Sequence, residues 1–432
     1  MKRTLATVAL FTLVAILPAP ARAVELVQTQ TMSLHLDGYL QALGVVQHVP
    51  DRSRNTDRVY LFLKEARLRF TGNVETVKYE VMLAPGAEDS TPNTNSALGL
   101  LDFNFDVPLA GGFDVKVGQF LVPYGRERIT TDSTMSFGDR SIENLGFAWN
   151  RDYGLALSHY RGKMVGTVAV MSGGGRDVPQ RYLPEKLGSP LVVGRFGYND
   201  GIDKDIYHVS ARDLEPTRAK SAFYLNALYL KDSSIGHSTV LNVRASDKNL
   251  LINSNYNPYI TKAPSSLGRV WQVGGDAEYQ APMSFGAFTA EAQVDFSHFD
   301  NKYGNLSLKG GRLQAGITRD KWEANLRYAI LYLDKKMAYV NAGVSNPILT
   351  SDKPLQEITP SVTYHYKPNV ILVADFPYLI DMLVFQENTI GSYVMSEHPE
   401  QVSVIKPGTT AGTGRVIRHN VPEARLLIQL SF

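Results

Sequence analysis

The chain has 432 residues with 44 basic and 42 acidic side chains, 44% hydrophobic residues and no cysteine. A formal charge of +2 excludes a strongly polycationic nucleic-acid binder. The missing cysteine excludes disulfides, thiolate metal sites, cysteine nucleophiles and a lipid-anchored N-terminal Cys.

At the N-terminus, Lys2 and Arg3 precede the apolar run Leu5 to Leu17. Pro18, Pro20 and Ala21-Arg22-Ala23 follow. This order predicts a secretory signal peptide over residues 1–23, cleaved after Ala23. Its removal takes away Lys2, Arg3 and Arg22 and no acid, which turns +2 into −1. Residues 24–432 then form one domain.

No later stretch offers 18 uncharged apolar residues. The longest apolar run, Val370 to Phe385, is broken by Asp375, Pro377 and Asp381. Membrane-spanning helices are therefore excluded. Segments of about ten residues alternate in polarity instead. Ser33 to Ala42 sets Leu34, Leu36 and Leu40 against His35, Asp37, Tyr39 and Gln41. Glu65 to Thr71 sets Ala66, Leu68 and Phe70 against Glu65, Arg67 and Arg69, followed by a short turn at Gly72-Asn73. Val77 to Leu83, Leu101 to Val107 and Phe113 to Gly118 continue the pattern. Between Leu191 and Leu230 lie further candidates, Asp205 to Arg212 among them, and 378–422 reads mostly as loop. Later segments start at Trp271, Phe288 and Trp322.

Three features favour a membrane barrel over a soluble sandwich. Aromatics such as Phe70, Tyr79, Trp271, Tyr279, Phe296, Trp322 and Tyr328 gather near strand ends. Short connections (Arg161-Gly162-Lys163, Arg319-Asp320-Lys321, Lys367-Pro368-Asn369) alternate with long ones. The last strand puts Leu426, Ile428, Leu430 and the terminal Phe432 on one face, similar to the signal read by the outer-membrane assembly machinery. The expected fold is all-β, a transmembrane antiparallel barrel of about 16 strands, with 18 as the alternative, because closure demands an even number. Such a barrel is wide enough for an aqueous channel.

One interval breaks the alternation. Residues 123–150, between the fifth and sixth strands, are irregular and rich in charge. A long irregular insertion in a compact domain is functional as a rule, and here it reads as a third external loop narrowing the pore. Arg126, Arg128, Arg140 and Arg151, with Arg67, Arg69 and Lys116 on the strands, are the candidate pore-lining bases. Glu65, Glu127 and Asp139 are candidate counter-charges. The bland alternative is that these charges pair and simply hold the loop to the wall. Inward positions of the clean strands carry seven bases, Arg67, Arg69, Lys78, Lys116, Arg312, Arg327 and Arg425, and a larger number of acids.

Enzyme signatures are absent: there is no G-x-S-x-G, H-E-x-x-H or P-loop, and Gly408 to Gly414 lacks the lysine of a phosphate cradle. Ser158 and His159 are adjacent strand residues and face opposite sides, so they cannot form a dyad. No metal or cofactor is implied.

The runs Lys116-Val-Gly-Gln-Phe-Leu-Val-Pro-Tyr-Gly-Arg126, Ser136-Phe-Gly-Asp-Arg-Ser141 and Asn150-Arg-Asp-Tyr-Gly154 resemble the phosphate-selective porin O/P family, as does Ala66-Arg-Leu-Arg-Phe. The resemblance implies a sixteen-stranded homotrimer in the outer membrane of a Gram-negative bacterium. It also implies an inward third loop and passage of small hydrophilic solutes, anions such as phosphate among them. Implied partners are outer-membrane lipid and the assembly machinery, with no nucleic acid. The alternatives are an outer-membrane barrel hydrolase or a non-conducting adhesion or assembly barrel.

Overall fold

The computed structural model of the chain describes residues 23–49, 56–85, 98–173, 190–203, 205–209, 213–231, 269–301, 304–333, 338–341, 344–347, 353–387, 391–394 and 415–432. Residues 1–22, within the signal peptide expected over 1–23, lie outside them. So do most of the long connections, including Gly408 to Gly414.

Sixteen strands form the barrel. They are β1 (Met32–Val49), β2 (Thr56–Val74), β3 (Val77–Pro85), β4 (Leu98–Pro108), β5 (Phe113–Leu121), β6 (Arg151–Arg161), β7 (Met164–Met171) and β8 (Leu191–Asn199). The second half comprises β9 (Lys220–Leu230), β10 (Arg269–Met283), β11 (Gly286–Asn301), β12 (Gly304–Arg319), β13 (Trp322–Leu333) and β14 (Leu355–Lys367). It ends with β15, in two pieces (Val370–Asp375 and Tyr378–Glu387), and β16 (Arg415–Ser431). Each strand pairs antiparallel with its sequence neighbours. β16 closes the ring on β1, from Tyr39↔Ser431 to Gln47↔Glu423. A short N-terminal strand, Val24–Gln28, pairs with β1 over Ser33 to Leu36, just below the terminal Phe432. Antiparallel neighbours and full closure leave no sheet edge unpaired, which a hydrocarbon environment requires.

The side chains invert the arrangement of a soluble protein. Along β8, Leu191, Val193, Arg195 and Asn199 are buried while Val192, Phe196 and Tyr198 are exposed. Along β9, Asn226 is buried and Leu225, at mid-strand, is 59% exposed. Large apolar side chains face out on strand after strand, and charges face in. In water such a surface would associate or aggregate. Against lipid tails it is the stable arrangement. The aromatic belt is also present: Trp322 stacks beside Tyr364 at the short-turn end, with centroids 4.4 Å apart, and Trp271 lies beside His298 toward the other end.

Three details differ from the sequence reading, and one residue departs from simple alternation. The β2–β3 hairpin turns at Glu75-Thr76, not at Gly72-Asn73, and Glu75 sits in the left-handed region with φ 52°. Asp205 to Arg212 is no barrel strand. Residues 205–209 lie inside the lumen instead, and 210–212 are outside the described residues. The interval 378–422 is less loop than expected, since β15 runs on to Glu387 and β16 starts at Arg415. Its two pieces join at Phe376-Pro377, where proline cannot supply a ladder hydrogen bond. Finally, Lys64 is the extra residue of a bulge opposite Gln41/Ala42. Simple alternation would turn it outward beside Glu65, whereas it is buried inside.

Candidate functional site: the lumen and its inserted loop

β5 ends at Leu121 and β6 begins at Arg151, so residues 122–150 form the third connection on the long-loop side. This loop folds into the barrel rather than out from it. It holds two short helices, α1 (Arg126–Ile129) and α2 (Ile142–Phe147), with a 3-10 turn at Asp132–Thr134 between them. Gly125 permits the entry into α1, with φ 70° and the Gln293 amide packed where a Cβ would sit. Val122, Tyr124, Ile142, Phe147 and Trp149 share one apolar cluster with the inner-wall residues Ala156, Val193, Ala222, Leu228 and Val270, and α2 itself packs on β12 and β13.

The rest of the loop is tied to the wall by polar contacts. Tyr124 donates to Asp295 Oδ1 at 2.7 Å. Trp149 Nε1 donates to Gln272 Oε1 at 3.1 Å, and Gln272 returns a bond to the Phe147 carbonyl. Ile142 N donates to Glu357, Gly138 N to Asp375, and Ser361 Oγ to the Ser136 carbonyl. Arg327, fully buried on β13, places Nε and Nη2 on Glu357 Oε1 at 2.9 and 2.6 Å and Nη1 on the Asp139 carbonyl at 2.9 Å. A planar guanidinium suits this fork, and its other face covers the Phe137 ring at 4.3 Å.

Each candidate base has a partner. Arg67 reaches Glu65 at 3.0 Å, and Tyr39 donates to the same carboxylate. Arg69 holds Asp37 with two bonds, at 2.8 and 3.1 Å. Lys116 bonds Asp106 and Asn104 at 2.7 and 2.9 Å. Arg126 contacts Glu278, and Arg128 donates to the Trp149 carbonyl. Arg140 pairs with Asp132 within the loop, at 2.7 Å. Arg151 binds Asp102 at 2.9 Å. Glu127 accepts from Ser141 N and Oγ and lies 3.5 and 3.6 Å from Arg312 and Arg327. Asp139 stands 3.9 Å from Lys64. Burial alone would raise the Asp132 carboxyl, but Arg140 and then Lys64 hold it well below the usual carboxylate range. Glu143 on α2 behaves oppositely: burial and the nearby Asp295 push its carboxyl well up, since two such close carboxyls resist joint ionisation. Phe432 sits at the barrel seam, exchanging backbone hydrogen bonds of 3.0 Å with Gly38.

A second segment enters from the opposite mouth. The β8–β9 connection lies on the short-turn side, yet it buries Ile202, Ile206, Tyr207 and Val209 in the lumen. Val209 bridges to the loop: Thr131 N donates to the Val209 carbonyl at 2.8 Å and Val209 N to the Ile129 carbonyl at 2.9 Å. Tyr207 shares its hydroxyl with Ser158 and Thr167 of the wall. Ser158 thus faces in, while its neighbour His159 stacks on Phe113, as strand alternation requires.

Beside this double partition lies a small pocket lined by α1, Thr134 to Phe137, Val209 and the wall residues Glu278, Glu291, Arg312 and Gln314. Of the expected residues, Arg126 and Glu127 meet here. Arg67, Arg69, Lys116, Arg128, Asp139, Arg140 and Arg151 do not line it. Glu278, Glu291 and Arg312 were legible as inward residues, but alternation gives facing and not depth along the barrel. The inserted residues 205–209 overlap the strand candidate Asp205 to Arg212, and alternation alone does not distinguish a wall strand from a segment inside the lumen.

Comparison with known proteins accords with this picture. The family model described as phosphate-selective porin O and P matches residues 44–177. No curated protein sequence matches the chain. Among solved structures, an anion-selective porin from Comamonas acidovorans is similar at TM-score 0.52 and 11% identity, covering 93% of this chain and 100% of that one. The outer membrane channel DcaP of Acinetobacter baumannii matches at 0.51 and 10%, covering 94% and 99%. In-vitro folded OmpT, an outer membrane protein of Vibrio cholerae, matches at 0.52 and 8%, covering 95% and 100%. At these identities the likeness is one of fold. From late β1 through β7 the chain resembles the phosphate-selective porin O and P family, and its fold is that of the sixteen-stranded porin barrels it is similar to.

Proposed function

We propose that the chain is a porin of a Gram-negative outer membrane, an aqueous channel through which small hydrophilic solutes diffuse passively. The observation that carries this reading is the inverted barrel. Polar side chains face a lumen of sixteen strands, and an inserted loop narrows that lumen. The finer expectation, anions such as phosphate, is supported by the name of the matched family and by the printed description of the Comamonas porin. A homotrimer is supported in the same way, by a Vibrio OmpT structure described as a trimer form. Lipid on the outer face and the barrel assembly machinery at Phe432 complete the expected partners.

The test is planar-bilayer recording of the purified chain, with sugar-driven swelling of loaded liposomes alongside. Discrete conductance steps and faster swelling with smaller sugars are expected. A membrane that stays silent at every applied voltage would refute the porin reading and favour a non-conducting barrel.

A further inference from the structure

Asp295 points inward from β11, completely buried, between two glycines of the neighbouring strands, Gly274 on β10 and Gly310 on β12. The missing side chains leave room that acidic groups fill. Asp295 Oδ1 occupies the place of a Cβ on Gly274, and Glu143 Cγ comes within 3.1 Å of where a Cβ would stand on Gly310. Glu143 of α2 is thereby laid against Asp295, and it too is completely buried. Asp295 accepts from the Tyr124 hydroxyl and from the Gln293 amide, each at 2.7 Å. Among the described residues, no N–H or hydroxyl donor reaches either Glu143 oxygen. Its hydrogen bond is to the Asp295 carboxyl. Two carboxylates cannot make such a bond, so one proton is held between them. With two donors already on Asp295, that proton belongs on Glu143.

The surrounding charges do not replace it. Glu127 adds a third carboxylate. Arg312 on β12 attracts the Glu143 charge, but Glu291 at 3.1 Å and Glu127 at 3.5 Å already share it. Arg327 on β13 and Glu357 on β14, the other strands under α2, are bound to each other at 2.6 Å. Burial and then Asp295 accordingly hold the Glu143 carboxyl well above its ordinary range. We infer that Glu143 and Asp295 form a proton-binding latch: the shared proton fastens α2, and with it the inserted loop, to the wall, and loss of that proton as pH rises frees them. Between the ordinary glutamate range and the raised one, the docked loop holds one proton more than the released loop. Docking is therefore full below that window and weakens about tenfold per pH unit across it.

The experiment is hydrogen exchange of the full-length folded barrel from about pH 5.5 to about pH 8.5, corrected for the intrinsic pH dependence of exchange. The readout is the peptide covering residues 137–150. Its protection in the wild-type protein should fall at least tenfold across the range, while peptides of β1 stay level. Glu143→Gln keeps a donor for Asp295 and has no charge to gain, so its protection should not change with pH. Gel mobility of unheated samples shows whether the variant is a folded barrel, and the wild-type series decides by itself if it is not. Level protection of the wild-type peptide overturns the inference, and so does a folded Glu143→Gln that loses protection with pH as the wild type does. The readout is independent of conduction, so a failed latch leaves the porin reading standing and a silent bilayer leaves the latch standing.

Discussion

Arg327 offers the sharpest test of how the loop is held. It is fully buried, shares Glu357 through two bonds, donates to the Asp139 carbonyl and lies 3.6 Å from Glu127. Replacing it with alanine leaves two buried carboxylates short of a counter-charge and one loop carbonyl without this donor. Removing one partner of a buried ion pair costs about 3–5 kcal/mol. At 1.4 kcal/mol per tenfold, that is roughly two to three and a half decades in an equilibrium constant. The barrel is held by a closed ring of strand pairings that Arg327→Ala does not touch, so the cost falls on the loop. The loop should detach from β13 and β14 and let water reach the carboxylates. Two measurements follow: protease cleavage between Ser136 and Glu143 in the folded barrel, and single-channel current. Cleavage should rise at least tenfold, and conductance should become larger and noisier. Arg327→Lys keeps the charge but not the fork, and should fall between. A folded Arg327→Ala barrel whose cleavage and current stay within twofold of wild type would refute the anchoring argument.

Other expected outcomes test the remaining architecture. Leu225, exposed at mid-strand on β9, should tolerate arginine poorly, at a cost of about 2–4 kcal/mol at the bilayer midplane. This would be read as a lower denaturant midpoint in reversible folding into lipid; an unchanged midpoint would mean that this face does not contact lipid. The chain has no cysteine, so Thr130→Cys with Val209→Cys gives one clean pair across the bridge between loop and inserted segment. Mild oxidation should crosslink it, visible as a reducible gel shift in the folded protein. Failure to crosslink would mean the two segments do not meet. Replacing residues 201–218 with a short turn should raise conductance and admit larger sugars, and an unchanged size limit would show that the second segment does not narrow the path.

Much of this architecture is written locally. Alternation along Ser33 to Ala42 or Trp271 to Tyr279 is a property of each strand alone, so it survives without tertiary information and yields strand number, facing and the aromatic ends. The same locality places the inserted loop between the fifth and sixth strands, because a break in periodicity is visible where it occurs. What only the tertiary structure decided is everything set by depth and by pairing across the lumen. Arg126 meets Glu278, Glu127 meets Arg312 and Arg327, and Gly138 meets Asp375. These contacts join residues more than a hundred positions apart in the chain, through register and barrel shear, which no short-range pattern encodes. Lys64 faces in because of a bulge, and 202–209 turns inward because its apolar side chains find the wall behind the loop. The candidate pore-lining bases are, in the folded barrel, held in ion pairs and hydrogen bonds to the wall and loop.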